Sequence, residues 1–292
     1  MKKTIKIILQ YFLAIVLSLA IALLLRLFVV DFYSIPSDSM SPAIEPGDFI
    51  LVDKLSFGAR MYENFDFLKN GTEPKTWRVK GFSLVRHGDV LVFNFPYAKD
   101  WNKIRMHLSR FYVKRCIGLP GDTLSIRGAF YEINGKRGYG NLQEQEAIAR
   151  FKGKYPQGIF HTIPFDPRIA WNIQNMGPLY IPRKGDKIHL DSMAYRLYRK
   201  MVEYESDLKL REQDGKIYAG DSLTEHYTFQ TNWYFMGGDK MWNSQDSRYI
   251  GLIPEEFLIG KAVLILSSKD KDTGEYRWNR FFKRIRREQN NL

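Results

Sequence analysis

Cysteine is nearly absent. Cys116 stands alone in 292 residues, so no disulfide framework closes within the chain, and the redox compartment is left open. Histidine is scarce too, with five residues, and no histidine or carboxylate cluster has the spacing of a metal site. No resident metal or cofactor is expected. Acidic residues are too few to balance the basic ones: 44 Lys and Arg against 32 Asp and Glu leave a net charge of +12. Apolar residues are not lacking, since 45% hydrophobic and 15% aromatic content excludes a disordered protein and can fill one large core or two small ones.

A basic surplus invites a nucleic-acid partner, but its placement argues against one. Lys2, Lys3 and Lys6 supply three of the net charges, and the segment from Lys269 onward, with eight basic and four acidic residues, supplies four more. That weakens any continuous basic groove, and no nucleic acid is expected. From Ile7 to Leu25 run 19 residues without a charge, and after Arg26 the apolar run resumes through Val30. Such a length spans a bilayer. Ala20-Ile21-Ala22 has the form of a signal-peptide cleavage site but lies inside the run, so a retained anchor over 7–30 is expected, behind a cytoplasmic segment 1–6. Arg26 can snorkel to the interface. Lysines before the span, and none close behind it until Lys54, predict that everything after Asp31 lies outside.

The body repeats one device, Gly-Asp followed by an apolar or alternating run, at Gly47-Asp48, Gly88-Asp89, Gly121-Asp122 and Gly185-Asp186. Glycine takes the turn and the β-branched or aromatic run suits a strand, which predicts an antiparallel sheet or barrel. Residues 191–204 place Met193, Ala194, Leu197, Tyr198, Met201 and Val202 at helical spacing behind the capping residues Asp191 and Ser192. The expected organisation is a catalytic β core over 31–127 and 237–268, interrupted by an inserted α+β subdomain over 128–236 and followed by a tail over 269–292. In that tail Trp278, Phe281, Phe282 and Ile285 form a stripe among basic residues. The stripe suits an amphipathic helix on an anionic membrane surface, or a solvated tail.

Three segments carry chemistry. Eight residues beyond Asp31 lies Ser39, in Ile35-Pro36-Ser37-Asp38-Ser39-Met40-Ser41-Pro42. Two prolines restrict this loop, as a pre-positioned nucleophile needs, although a serine-rich turn reads the same way. Next comes Phe111-Tyr112-Val113-Lys114-Arg115-Cys116-Ile117 before Gly118-Leu119-Pro120-Gly121-Asp122. A period of two puts Tyr112, Lys114 and Cys116 on one face, an unusual setting for a solvated lysine, while an edge lysine remains the plainer alternative. The third is Gly237-Gly238-Asp239-Lys240-Met241-Trp242-Asn243-Ser244-Gln245-Asp246-Ser247-Arg248.

Together these blocks, with the anchor and the Gly88–Phe93 strand, resemble type I signal peptidases, the membrane enzymes that remove leader peptides from exported proteins. The resemblance implies a mainly β catalytic core in the bacterial cytoplasmic membrane, facing outward. It implies Ser39 as nucleophile, Lys114 as general base, Ser37 with the Ser39 backbone N–H as oxyanion hole, and Ser244 as the hydroxyl that orients the lysine. Asp246 and Arg248 match a structural ion pair, and Arg115 and Asp239 a second. Ile35, Pro36, Met40 and Val113 would line pockets for small side chains, and the partners would be preproteins carrying signal peptides. Ala43 stands where the family usually has threonine, Lys240-Met241 where it has Asn-Arg, and Trp242 where Asp or His is common.

For lysine to act as base its amine must be neutral, and burial can lower its ordinary value near 10.4 by up to about 3 to 5. A dry site is therefore expected. A Ser-His-Asp hydrolase is disfavoured because His87, His107, His161, His189 and His226 all lie outside the three segments. An inactive, membrane-tethered interaction protein that kept the fold is the alternative, motivated by Lys240-Met241-Trp242.

Overall fold

The computed structural model describes residues 2–70 and 74–287. Helix α1 (Lys2–Phe28) forms because residues 7–28 contain neither glycine nor proline, and a helix satisfies its own backbone in an apolar medium. Thr4–Phe28, 25 residues, is long and apolar enough to cross a membrane. The expected limit at 30 moves back to 28, because Val30 already opens strand β1 (Val30–Ser34). Lys54 ties the two elements together: its ammonium donates to the Arg26 carbonyl at 2.8 Å and pairs with Asp31 at 3.0 Å.

The body is built on an eight-stranded antiparallel sheet. Its path runs β1, β2 (Asp48–Asp53), β9 (Leu258–Ser268), β3 (Val90–Phe95), β4 (His107–Gly118), β8 (Trp233–Gly237) and the short strand Ile253–Pro254. A second small sheet, β6–β5–β7, comprises β5 (Thr123–Arg127), β6 (Phe130–Ile133) and β7 (Asn175–Tyr180). All four Gly-Asp pairs precede strands, with φ of 90°, 81°, 94° and 90° at Gly47, Gly88, Gly121 and Gly185; only a residue without Cβ takes such turns freely.

The register β3–β4 sets Leu91 against Lys114 and Val92 against Val113, which sorts side chains between two cores. The larger core joins Leu91, Phe93, Cys116 and Phe235 to the inserted part. The smaller joins Val90, Val92, Ile50 and Ile265 to Ile35, Met40 and Ile44. Met40 is buried; withdrawing such a side chain from water contributes about 1.5–3 kcal/mol, which fastens the serine loop to the sheet.

The insert boundaries move. The limit expected at 127/128 falls inside the β6–β5–β7 sheet, because β5 turns away from the main sheet at Pro120-Gly121 and pairs with later strands. At the other end β8 pairs with β4, so Trp233 to Met236 belong to the core sheet. Helix α2 (Leu142–Arg150) is capped by the Asn141 side chain. Helix α3 (Ser192–Ser206) is capped by Asp191, whose carboxylate accepts from the Ala194 N–H. Ala194, Tyr198, Met201 and Val202 bury as the spacing predicts, but Met193 does not and is 50% exposed.

Among its described residues the tail forms no α-helix. Trp278–Arg280 is a single 3₁₀ turn, and Lys283–Arg284 adds a short strand to β9. Tertiary partners override the helical stripe. Arg280 is buried against Asp48, with contacts of 2.6 and 3.0 Å, Ile285 packs on the smaller core, and the Arg286 carbonyl accepts from Arg115 at 3.2 Å. The tail residues 288–292 lie outside the described residues.

Candidate active site

The serine loop leaves β1 and is pinned at three points before β2: Met40 in the smaller core, the Ser41 N–H donating to the Asp38 carbonyl at 2.9 Å, and the Ile44 N–H donating to the Met40 carbonyl at 2.9 Å. This pinning delivers Ser39, itself buried, to the face of β4 that carries Lys114. Ser39 Oγ and Lys114 Nζ are 2.5 Å apart, although 75 positions separate them in sequence. Ser37 Oγ lies 3.5 Å from Ser39 Oγ, on the exposed rim.

Lys114 is only 4% exposed. Burial lowers its pKa to about 8, against the opposing pull of Asp246, Asp239 and Asp38 and with help from Arg248. Removing water disfavours the ammonium more than the distant carboxylates favour it. The Tyr112 ring covers the amine at 5.5 Å from its centroid, and its hydroxyl donates to Gln245 Oε1 at 2.5 Å while accepting from Arg110 at 3.1 Å. Cys116, on the same face, is fully buried, and burial pushes its thiol well up, so it serves as packing.

Two ion pairs flank the amine. Arg115 grips Asp239 with Nε–Oδ1 of 2.7 Å and Nη2–Oδ2 of 2.5 Å, both side chains being buried. Arg248 meets Asp246 through two contacts of 2.8 Å. Burial acts to raise the Asp246 carboxyl, but the Arg248 charge and hydrogen bonds, with the Gly238 N–H, hold it below the ordinary carboxylate range. Gly238 allows the close approach: a Cβ there would sit 2.0 Å from Ser244 Oγ and 2.7 Å from the Ser39 carbonyl oxygen.

One expected contact is not made. Ser244 is buried beside this junction, yet among the described residues its Oγ has no hydrogen-bond partner, Lys114 included. The extended Ser244 backbone follows the 3₁₀ turn Met241–Asn243, whose course is fixed by Met241 in the larger core and Trp242 stacked on Tyr155. Two of the positions that depart from the pattern, Met241 and Trp242, are thus absorbed by packing.

Sequence reasoning missed four residues here, Asp38, Lys240, Asn243 and Gln245. Lys240 Nζ pairs with the Asp38 carboxylate, Asn243 Nδ2 donates to Asp38 Oδ1 at 2.7 Å, and Gln245 bridges to Tyr112. The only signal available was an acidic residue set between two serines. A cleft of about 540 Å³ opens on the site, and Ile35, Pro36, Met40 and Val113 all line it, with Tyr33, Ser37, Ser39 and Lys114. A separate cavity of about 620 Å³ lies between α3 and residues 242–252 and shares Asn243 and Gln245 with the cleft. Among the described residues no cluster of three or more His, Cys, Asp or Glu side chains is placed to hold a metal ion.

The family model described as signal peptidase, peptidase S26, matches residues 8–267. A signal peptidase I of Buchnera aphidicola subsp. Baizongia pistaciae is 30% identical over 280 residues, 91% of this chain and 79% of the relative. That of Pseudomonas aeruginosa is 29% identical over 261 residues, 86% and 69% of the two chains, and that of Aquifex aeolicus 28% over 252 residues, 84% and 79%. A crystal structure of a signal peptidase I from Enterococcus faecalis aligns with 62% of this chain and 98% of its own at 19% identity, with a TM-score of 0.30, too loose a likeness to bear on the fold. With a match across nearly its whole length, the chain belongs to the signal peptidase family, peptidase S26, whose members are serine endopeptidases.

Proposed function

We propose that the protein is anchored in the bacterial cytoplasmic membrane by α1, with its catalytic body on the outer side, and removes signal peptides from exported preproteins after small residues with a Ser39/Lys114 dyad. The observation that carries this reading is the 2.5 Å approach of Lys114 Nζ to Ser39 Oγ in a setting that lowers the amine to about 8.

As Ser39 Oγ attacks the scissile carbonyl carbon, the Lys114 lone pair takes the hydroxyl proton. The oxygen that gains charge meets the Ser39 N–H and the Ser37 hydroxyl, donors of a kind typically worth about 3–4 kcal/mol each. Lys114 then passes its proton to the leaving amine, the mature chain departs, and a water activated by the same amine hydrolyses the ester and frees the signal peptide. Ser244 Oγ, buried and without a partner among the described residues, is a free hydroxyl beside the Ser39 carbonyl that is available to the amine during proton transfer. The buried pairs Arg115–Asp239 and Arg248–Asp246 hold the strand and turn on which base and hydroxyl ride.

Because Tyr33, on the strand that directly follows α1, lines the cleft, the attacked bond lies close to the outer leaflet. The walls at Ile35, Met40 and Val113 suit alanine-sized side chains. Exposed Trp278 and Phe282 beside Lys283 and Arg284 suit a headgroup layer containing anionic lipid. The motive for an inactive tethered protein weakens, since Lys240, Met241 and Trp242 all find partners. The test is cleavage of a preprotein by the detergent-solubilised full chain: Ser39→Ala abolishes it, and a bulky residue in place of alanine just before the cut blocks it. Undiminished cleavage in either case refutes the corresponding assignment.

A further inference from the structure

The residue between the two serines is held from outside its own loop. Asp38 receives the Lys240 ammonium on one carboxylate oxygen and the Asn243 amide, at 2.7 Å, on the other. The backbone repeats the link, for the Lys240 N–H donates to the Ser39 carbonyl at 3.1 Å. Side-chain exposures of 29% for Asp38 and 40% for Lys240 place this bridge on the wall of the cleft, which Asp38 and Asn243 line. Nothing in the smaller core reaches this point: Met40 fixes the loop after Ser39, and Ile35 fixes it before Pro36. Between those two anchors the stretch is otherwise held through backbone acceptors, the Asp38 carbonyl taking the Ser41 N–H at 2.9 Å and the Pro36 carbonyl taking Lys271 at 3.1 Å.

Resting on the catalytic reading above, we propose that Asp38, clamped by Lys240 and Asn243, is a positioning residue that sets Ser37 and Ser39 against the amine of Lys114. An exposed ion pair alone contributes little to stability, so the consequence falls on geometry: displacing a reacting atom by about 1 Å can reduce rate a hundredfold. The bridge also joins the serine loop to the segment that carries Ser244, so nucleophile and base-side hydroxyl move as one body. It has an electrostatic signature as well. Lys114 faces Asp38, Asp239 and Asp246, which favour its charged form, and Arg248, which opposes it. Lys240 faces Asp38, Glu144 and Glu45. Neutralising Asp38 therefore moves the amine down, and removing Lys240 leaves Asp38 unbalanced and moves it up.

The experiment is steady-state cleavage of a preprotein by the detergent-solubilised full chain across pH, for wild type, Asp38→Asn, Lys240→Ala, the exchanged pair Asp38→Lys with Lys240→Asp, and Ser39→Ala. Each single substitution is expected to lower kcat about tenfold or more with KM changed less than about twofold. The acid limb of kcat/KM should shift to lower pH in Asp38→Asn and to higher pH in Lys240→Ala. The exchange should restore kcat to within about threefold of wild type, since Asn243 can turn its carbonyl to a lysine at 38. A variant that merely misfolds would show neither opposed shifts nor rescue. Wild-type kcat in both single variants, limbs that move together, or an exchange no better than either single change overturns the clamp. If those results accompany an inactive Ser39→Ala, the dyad still stands; cleavage surviving in Ser39→Ala overturns the dyad itself.

Discussion

Replacing Lys114 by methionine should make the protein inactive and, near neutral pH, more stable. In the fold the amine sits at about 8 against an ordinary 10.5, and burial is the main cause. Since each pKa step of one is about 1.4 kcal/mol, keeping the ammonium in this site below pH 8 costs about 3 kcal/mol. The sign follows from linkage. Between pH 8 and 10.5 the unfolded chain holds the proton that the folded chain has released, so wild-type stability rises with pH through that window. Below it both states are protonated and the full penalty applies. Methionine fills a similar volume and never carries the charge, so its advantage over wild type should be about 3 kcal/mol larger at pH 7 than near pH 11. Urea unfolding of the detergent-solubilised full chain, followed by tryptophan fluorescence, reads this as a difference in which other titrating groups cancel. A wild-type-minus-variant difference that stays flat from pH 7 to pH 11 refutes the buried, depressed lysine. The same value fixes the acid limb of wild-type kcat/KM near pH 8, where about half the amine is neutral; at an ordinary pKa only about 3 in 10,000 would be neutral at pH 7.

Gly238→Ala should reduce kcat about a hundredfold and stability by about 1–3 kcal/mol, because the new methyl would meet Ser244 Oγ and the Ser39 carbonyl; wild-type kinetics would show that this junction is not tight. Asp239→Ala removes the carboxylate that grips the buried Arg115 guanidinium and should destabilise by about 3–5 kcal/mol, whereas replacing both by apolar residues recovers much of it in the same melt. Arg280→Ala should raise the midpoint of acid unfolding: Asp48 is buried, which raises its carboxyl, yet Arg280, Ser268 and the Glu45 N–H hold it low. That stability is present above the ordinary carboxylate value and is lost as pH falls through the lowered one; without Arg280 the loss begins at higher pH, and an unchanged midpoint would remove Arg280 from the core.

Local chemistry made several elements legible. The uncharged run wrote α1, the Gly-Asp pairs wrote four strand entries, and Asp191 wrote the start of α3. Legibility failed where a partner distant in sequence decided the outcome. The stripe Trp278-Phe281-Phe282-Ile285 reads as a helix, but Asp48 captures Arg280 and β9 captures Lys283–Arg284. The insert boundary was misplaced because β5 has the alternation of any core strand, and only its pairing with β6 and β7 removes it from the main sheet.

By itself the sequence pointed to the family, through the resemblance its motif blocks carry, and to a helix long and apolar enough to cross a membrane, because motif order and an unbroken apolar run are properties of the chain order. Tertiary structure decided how those groups behave. The depressed amine of Lys114, its approach to a serine 75 positions away, the burial of the Ser244 hydroxyl and the Asp38–Lys240 bridge all depend on burial and distance, which exist only once β4, the serine loop and the turn at 238–246 have packed together.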